Sequence, residues 1–341
     1  MSQDPPRKRA TLKDVAAAAE VSLASASYAV NGTGTLGEAM RARILKVADE
    51  LGYRQNLAAR TMRTGKSNTL GLLVPDLSNP FFPNLVQAVV QRARQQGYTV
   101  VLMDAEETAN LECQAIETLE NSGVDGIIWF PIGDADTKAA VEPSIPVVVI
   151  DRFLPGFERI GADDATAGLQ AAEHLLQLGH GYIGIVSGPR HARSMANRCD
   201  AAARRVNEAA AVAFQVENGY SMDLEPEVVE ALQAGGFTAV IAGGDMIAVG
   251  VMRALQELGL HVPNDVSVVG MDDIAWAALT SPPLTTVEIP IEDMAVEAVD
   301  AVVRRLESGI DIRRQVILNV SLVVRSSTAA PQLPDRGTAL T

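Results

Sequence analysis

The sequence predicts an all-α helix-turn-helix headpiece followed by an α/β two-lobed body of two doubly wound parallel sheets. Three observations carry that expectation. Residues 11–54 hold short amphipathic segments separated by capping residues and glycines, with no strand-like run. From Thr69 the texture changes to short, near-continuous apolar runs alternating with longer amphipathic segments, the pattern of a parallel sheet covered on both faces. The alternation restarts after Asp163, which gives two successive α/β units.

Length and composition allow this plan. A chain of 341 residues has room for two or three domains. An apolar fraction of 48% with only 4% aromatic residues suits layers rich in Ala, Val and Leu. The net charge of −14 argues at first against a nucleic-acid partner. Its distribution reverses that: residues 1–66 carry 11 Lys and Arg against 6 Asp and Glu, and the rest of the chain carries 17 against 36. A basic end on an acidic body is expected where only one end meets phosphates.

Cys113 and Cys199 do not make a disulfide framework and fit a reducing cytosol. The Arg7-Lys8-Arg9 cluster is not followed by the apolar core of a secretory signal, and no run approaches the ~18 apolar residues of a membrane span. A cytoplasmic protein with no membrane partner is expected. His174, His180, His191 and His261 lack ligand spacing, so no metal site is expected. No G-x-G-x-x-G opens a helix, no phosphate loop is present, and no catalytic Ser/His/Asp order or carboxylate pair stands out. Neither a catalytic residue nor a cofactor is assigned, and the chain is expected not to be an enzyme.

Along the headpiece, residues 1–10 are Pro-rich and charged, hence expected to be disordered. Thr11, followed three residues later by Asp14, is a capping-box start, and Leu12, Val15 and Ala16 recur at helical spacing. Ser22 is a good N-cap for a second short helix over residues 23–30, which Asn31-Gly32 stops. Two short helices joined by a tight turn form a helix-turn-helix, whose second helix fits a major groove. A third helix is expected over 38–51, with Ile44, Val47, Ala48 and Leu51 toward the core and Arg41 and Arg43 in reach of phosphates.

In the body, strands are expected at 69–76, 98–106, 125–131 and 146–151, with helices at 86–98 and 112–123. Helices at 165–178, 194–210, 223–234 and 246–258 then alternate with strands at 182–188, 213–218, 239–244 and 266–272. One more helix over 291–307 and a strand over 315–325 follow. The tail from Ser326 lacks the leucine heptads that tie dimers into tetramers. In open α/β sheets ligands lie beyond the carboxyl ends of strands. Asp76, Asp151-Arg152, Asp245 and Asp272-Asp273 stand at such ends.

The residues T-L-K-D-V-A (11–16), V-S (21–22), V-N-G (30–32), A-D-E-L-G-Y (48–53) and N-L-A-A-R (56–60) resemble the DNA-binding headpiece of the lactose-repressor (LacI/GalR) family of bacterial transcription regulators. The resemblance continues through SNTLGLLVPDLSNPFF (67–82), GPR (188–190), GGDMIAVG (243–250), VPNDVSVVGMDD (262–273) and SPPLTTV (281–287), so it spans almost the whole chain. It implies a helix-turn-helix domain at 11–54, a hinge at 55–66 and a periplasmic-binding-protein-like body. In that body 67–162 plus 291–319 make one lobe, 163–290 plus 320–328 the other, and 329–341 a flexible tail.

For the headpiece the resemblance implies a DNA interface of Thr11, Ser22, Leu23, Ala24, Ser25, Tyr28, Asn31 and Arg41. Asn56, Ala59 and the wedge residue Met62 extend it in the hinge. Leu23, Ala24 and Tyr28 hold the base-reading positions, where many relatives carry longer polar side chains; Leu23 and Ala24 offer apolar contact, for example to a thymine methyl. Glu20 replaces a usual glycine and costs roughly 1 kcal/mol if its φ is positive. Leu36-Gly37 replaces the usual cap of the third helix, which leaves Thr35 to cap it. For the body the resemblance implies a small-molecule effector, a sugar in many relatives, held by Phe81, Asp76, Asp151, Ser194, Arg198, Asp245 and Asp272. It further implies a homodimer on double-stranded operator DNA. A transport binding protein of the same clamp fold would need a secretory signal, and a nucleotide-dependent enzyme a phosphate loop; neither signal is visible.

Overall fold

The computed structural model describes residues 10–54, 65–133, 144–310 and 313–332. The chain forms two compact units, one ending at Ser67 and one beginning at Asn68.

In the first unit, α1 (Leu12–Ala18) opens on a reciprocal cap: the Asp14 N–H donates to Thr11 Oγ1 at 3.3 Å, and the Thr11 N–H to Asp14 Oδ2 at 2.7 Å. The turn passes through Glu20 at φ 52. α2 (Leu23–Asn31) starts where the Ser25 N–H donates to Ser22 Oγ at 3.1 Å and stops on Gly32 at φ 68, a left-handed cap that suits glycine. α3 (Glu38–Glu50) follows. Val15, Ala16, Ala19, Ala26, Ala29, Ile44 and Ala48 make the core, and its small side chains let three short helices pack closely. Two expectations fail here. Leu51 lies beyond the end of α3 and is 41% exposed, and Tyr53 packs against the core in its place. Thr35 does not cap α3; Gly37 is the N-cap and no side chain bonds there.

The second unit begins with β1 (Thr69–Val74), α4 (Phe81–Gln95), β2 (Thr99–Asp104), α5 (Ala109–Asn121), β3 (Gly126–Trp129), β4 (Val147–Ile150) and β5 (Glu158–Ala162). It continues with α6 (Asp164–Gln177), β6 (Tyr182–Ser187), α7 (Arg193–Ala209), β7 (Ala211–Glu217), α8 (Pro226–Ala234), β8 (Ala239–Ala242), α9 (Asp245–Glu257), β9 (Ser267–Asp272) and β10 (Thr285–Glu288). It closes with α10 (Ile291–Ser308), β11 (Gln315–Leu318) and β12 (Ser321–Val323).

Two six-stranded sheets result, in the orders β11-β5-β4-β3-β1-β2 and β12-β10-β9-β8-β6-β7. Every pairing is parallel except β10 with β12. Central strands such as β3, β4 and β8 are buried along their whole length, which explains their unbroken apolar sequence. Each Leu, Ile or Val side chain so buried contributes roughly 1.5–3 kcal/mol.

β5 carries no apolar run and escapes a reading by periodicity. Its Glu158 is fully buried, yet Arg304 Nη2 at 2.9 Å and Arg314 Nε at 3.3 Å hold its carboxylate. The single strand expected over 315–325 divides at Asn319-Val320: β11 joins the first sheet and β12 the second. The chain therefore passes between the lobes three times, after Ala162, after Glu288 and after Leu318. These passages touch. The Asp163 N–H donates to Leu318 O at 2.9 Å, and Glu288 pairs with Ser321.

Residue 329, where a flexible tail is expected to start, is tied to the body. The Ala329 N–H donates to Ser267 Oγ at 3.0 Å, and its carbonyl lies 3.0 Å from His180 Nε2. Residues 333–341 lie outside the described residues, as do 1–9. Among the described residues no helix is long and apolar enough to cross a membrane.

Candidate functional site

The carboxyl ends of the strands in both sheets converge on one cavity of about 240 Å³. From the first lobe come Phe81 and Phe82 at the start of α4, Glu107 after β2, Phe130 after β3, and Asp151 and Arg152 after β4. From the second come Ser194, Met195 and Arg198 on α7, His191 just before it, Tyr220 after β7 and Asp272 at the end of β9.

One wall is aromatic. Phe81, Phe82 and Phe130 pack edge to face with centroids 5.0–6.1 Å apart. The Arg152 guanidinium lies 5.1 Å over the Phe130 ring. Beside this wall a polar network bridges the lobes. Arg152 Nη1 pairs with Asp151 and donates to Ser194 Oγ at 2.8 Å, and Ser194 Oγ donates to Asp151 Oδ2 at 2.8 Å.

Deeper in the second lobe, Arg198 donates to Asp164 Oδ1 at 2.8 Å and to Asp272 Oδ1 and Gly243 O at 3.2 Å each. Its Nε is buried with no partner among the described residues. Burial opposes the Arg198 charge, but Asp164 and Asp272 outweigh it, so the guanidinium is held more firmly protonated than usual. Burial pushes the Asp272 carboxyl up to about 6, although Arg198 pulls it down. Burial, helped by Asp76, also raises Glu107.

The three carboxylates lining the cavity share a backbone signature. Glu107 has φ 51, Asp151 φ 67 and Asp272 φ 116, a region that non-glycine residues rarely occupy. Such strain, on the order of 1 kcal/mol or more each, persists where the surrounding structure imposes it.

In the first unit, Leu23, Ala24 and Tyr28 are exposed on α2, the two large side chains at 46% each. Thr11 and Ser22 cap helices, Ser25 bonds Ser22, and Asn31 donates back to Ser27 O at 2.6 Å. Arg41 Nη2 reaches Thr33 O at 3.4 Å. Asn56, Ala59 and Met62 lie outside the described residues.

Comparison with known proteins decides what these two parts belong to. Residues 11–56 match the bacterial regulatory proteins of the lacI family, and residues 172–328 match the periplasmic binding protein-like domain. An uncharacterized HTH-type transcriptional regulator in the aml 5' region of Streptomyces limosus is 36% identical, across 93% of this chain and 94% of that protein. The chain belongs to the lacI family. The ribose operon repressor of Halalkalibacterium halodurans is 32% identical, across 93% of this chain and 97% of its own. A lac repressor dimer bound to operator and the anti-inducer ONPF superposes with a TM-score of 0.85 at 28% identity, across 95% of this chain and all of that one.

Within this lacI-family body, five of the seven side chains named from the sequence line the cavity: Phe81, Asp151, Ser194, Arg198 and Asp272. Two do not. Asp76 folds into its own turn, accepting the Ser78 N–H at 2.7 Å and Ser78 Oγ at 2.8 Å. Asp245 is fully buried at the start of α9, where it accepts Thr286 Oγ1 at 2.6 Å and the Ile274 N–H at 2.9 Å. Burial and the charge of Asp272 hold its carboxyl well above the usual range. Glu107, Phe130, His191 and Tyr220 were missed because each sits in a loop after its strand, where nothing in the spacing sets it apart. Arg152 was visible at a strand end but received no role.

Proposed function

We propose that this chain is a transcriptional repressor acting as a homodimer in the bacterial cytoplasm. Its headpiece holds operator DNA, and a small neutral sugar or polyol in the cavity between the lobes switches it. One observation carries the effector class: each guanidinium in the cavity wall already faces a carboxylate, Arg152 facing Asp151 and Arg198 facing Asp164 and Asp272, while Glu107 adds a further one. That balance leaves no excess cation for a phosphate. It leaves directional acceptors and donors for hydroxyls, with an aromatic wall for the C–H side of a ring. The volume of about 240 Å³ lies below the ~300 Å³ at which pockets for drug-sized ligands begin, so a single sugar ring fits better than an oligosaccharide. The cavity is assigned a binding step and no reaction.

Effector and operator are coupled by ~1–3 kcal/mol, reciprocally, through the relative position of the lobes. Removing residues 1–66 is expected to abolish operator binding. The remaining compact unit from Asn68 on keeps a thermal shift with neutral monosaccharides and none with sugar phosphates. Operator affinity that survives the truncation would sink the division of labour, and a phosphate-only response would sink the effector class.

The cavity carboxyl gives a pH dependence. Asp272 titrates near 6 in the folded protein, above its unfolded value of roughly 3.9, so its contribution to stability is full at acid pH and lost as pH rises through about 6. A ligand hydroxyl that donates to Asp272 is held more strongly by the ionised carboxylate than by the neutral acid. Effector affinity is therefore expected to fall as pH drops through about 6, and Asp272→Asn to remove that dependence. Calorimetric titration at pH 5 and pH 7.5 checks it; equal affinity at both would place the ligand elsewhere.

A further inference from the structure

We propose that α2 recognises its operator through the C5-methyl groups of thymines, with Leu23 and Ala24 forming an apolar step in the major groove and Tyr28 supplying the hydrogen-bonding group beside it. The inference rests on the regulator reading and adds the base chemistry that the headpiece reads.

The argument begins with what α2 does not carry. Its sequence, LASASYAVN, contains no Arg, Lys, Gln, Asp or Glu, the side chains that make paired or charged contacts to base edges. Its one amide, Asn31, is turned back on its own helix, donating to Ser27 O at 2.6 Å and Ser27 Oγ at 3.0 Å. Ser22 and Ser25 bond one another at 2.9 Å while capping the helix start. The nearest arginines are also engaged, Arg43 donating to Ala19 O at 2.9 Å and Arg41 to Thr33 O at 3.4 Å.

What remains on the outer face is apolar. At about 100° per residue, positions 23, 24 and 28 fall within about 140° of arc, so they share a face. Leu23 and Tyr28 are each 46% exposed and Ala24 is exposed, outside the unit's core of Val15, Ala16, Ala19, Ala26, Ala29, Ile44 and Ala48. The Tyr28 ring is braced: a Cβ on Gly34 would lie 2.8 Å from its Cγ, so Gly34 leaves space for the ring to lie flat against the loop. Its hydroxyl has no partner among the described residues and is free to act as donor or acceptor. In the major groove only the thymine methyl offers apolar surface at a base edge, so the face matches an A·T pair whose thymine lies toward Leu23 or Ala24.

The test uses the full-length protein. An operator is selected from a random duplex library, and each thymine of a half-site is then replaced singly by deoxyuridine, which removes only the methyl. At one or two positions per half-site, affinity is expected to fall about fourfold, the amount that burying one methyl corresponds to. Leu23→Ala, a change on the exposed face of a helix, should keep the headpiece folded and abolish the deoxyuridine effect at its position. Tyr28→Phe should weaken binding without altering it. A selected operator indifferent to every methyl, or one whose half-site core lacks thymine, overturns the proposal alone. A selection that enriches no sequence overturns the regulator reading along with it.

Discussion

Gly168→Ala is expected to destabilise the body by about 3 kcal/mol or more, at the upper end of what overpacking costs, and to lower its Tm by roughly 6–12 °C. A Cβ at Gly168 would lie 1.8 Å from the carbonyl oxygen of Arg198 and 3.0 Å from the Ala202 nitrogen. The obstacle is the backbone of α7, not the end of a flexible side chain, so helix α6 must withdraw as a whole. The same carbonyl belongs to the residue whose guanidinium enters the cavity, so the effector response should fall together with stability. Gly181→Ala is the matched control, because nothing lies within 4 Å of its Cβ position. Urea unfolding of both variants checks the pair. A Gly168→Ala protein within about 1 kcal/mol of the parent would mean that α6 and α7 approach less closely than described.

Arg198→Met is expected to cost about 3–5 kcal/mol, the usual result of removing one member of a buried ion pair. Met fills much of the volume but leaves Asp164, 4% exposed, and Asp272 near one another without a cation. The deficit has a definite sign with pH. Carboxyls that lose their counter-charge in a buried site titrate above their unfolded values, so stability is lost as pH rises through the folded pKa. The gap between variant and parent should be widest near pH 8 and shrink near pH 5. Unfolding curves at the two values measure it. A constant gap would assign the loss to packing, and Arg198 would no longer be the electrostatic centre of the cavity.

The order of elements was legible because it depends on burial alone: strands covered on both faces must be apolar throughout, and β3, β4 and β8 are. The capping box at Thr11 and the stop at Gly32 were legible because both act within a few residues. β5 was not, since Glu158 and Arg159 suggest a surface loop and only the distant Arg304 and Arg314 make its burial tolerable. The same limit applies to the cavity. Asp76, Asp151, Asp245 and Asp272 look alike in sequence, each at or just beyond the end of an apolar run. Which of them faces the cavity is decided by the tertiary fold: Asp151 and Asp272 line it, whereas Asp76 and Asp245 spend their oxygens on neighbouring N–H and hydroxyl groups. The bridge from Arg152 to Ser194 joins residues 42 apart in the chain, and no local pattern records it.

The three passages of the chain between the lobes behave as straps of one joint. Because they are stitched to one another at Asp163–Leu318 and Glu288–Ser321, none can lengthen or swivel while the others stay still. Twisting one half of the body against the other is resisted, and rocking about the line of the straps is the motion left cheap. A solute that draws Arg198 and Asp272 toward Phe81 would thus tip one rigid half over the other, turning a small local pull into a directed stroke.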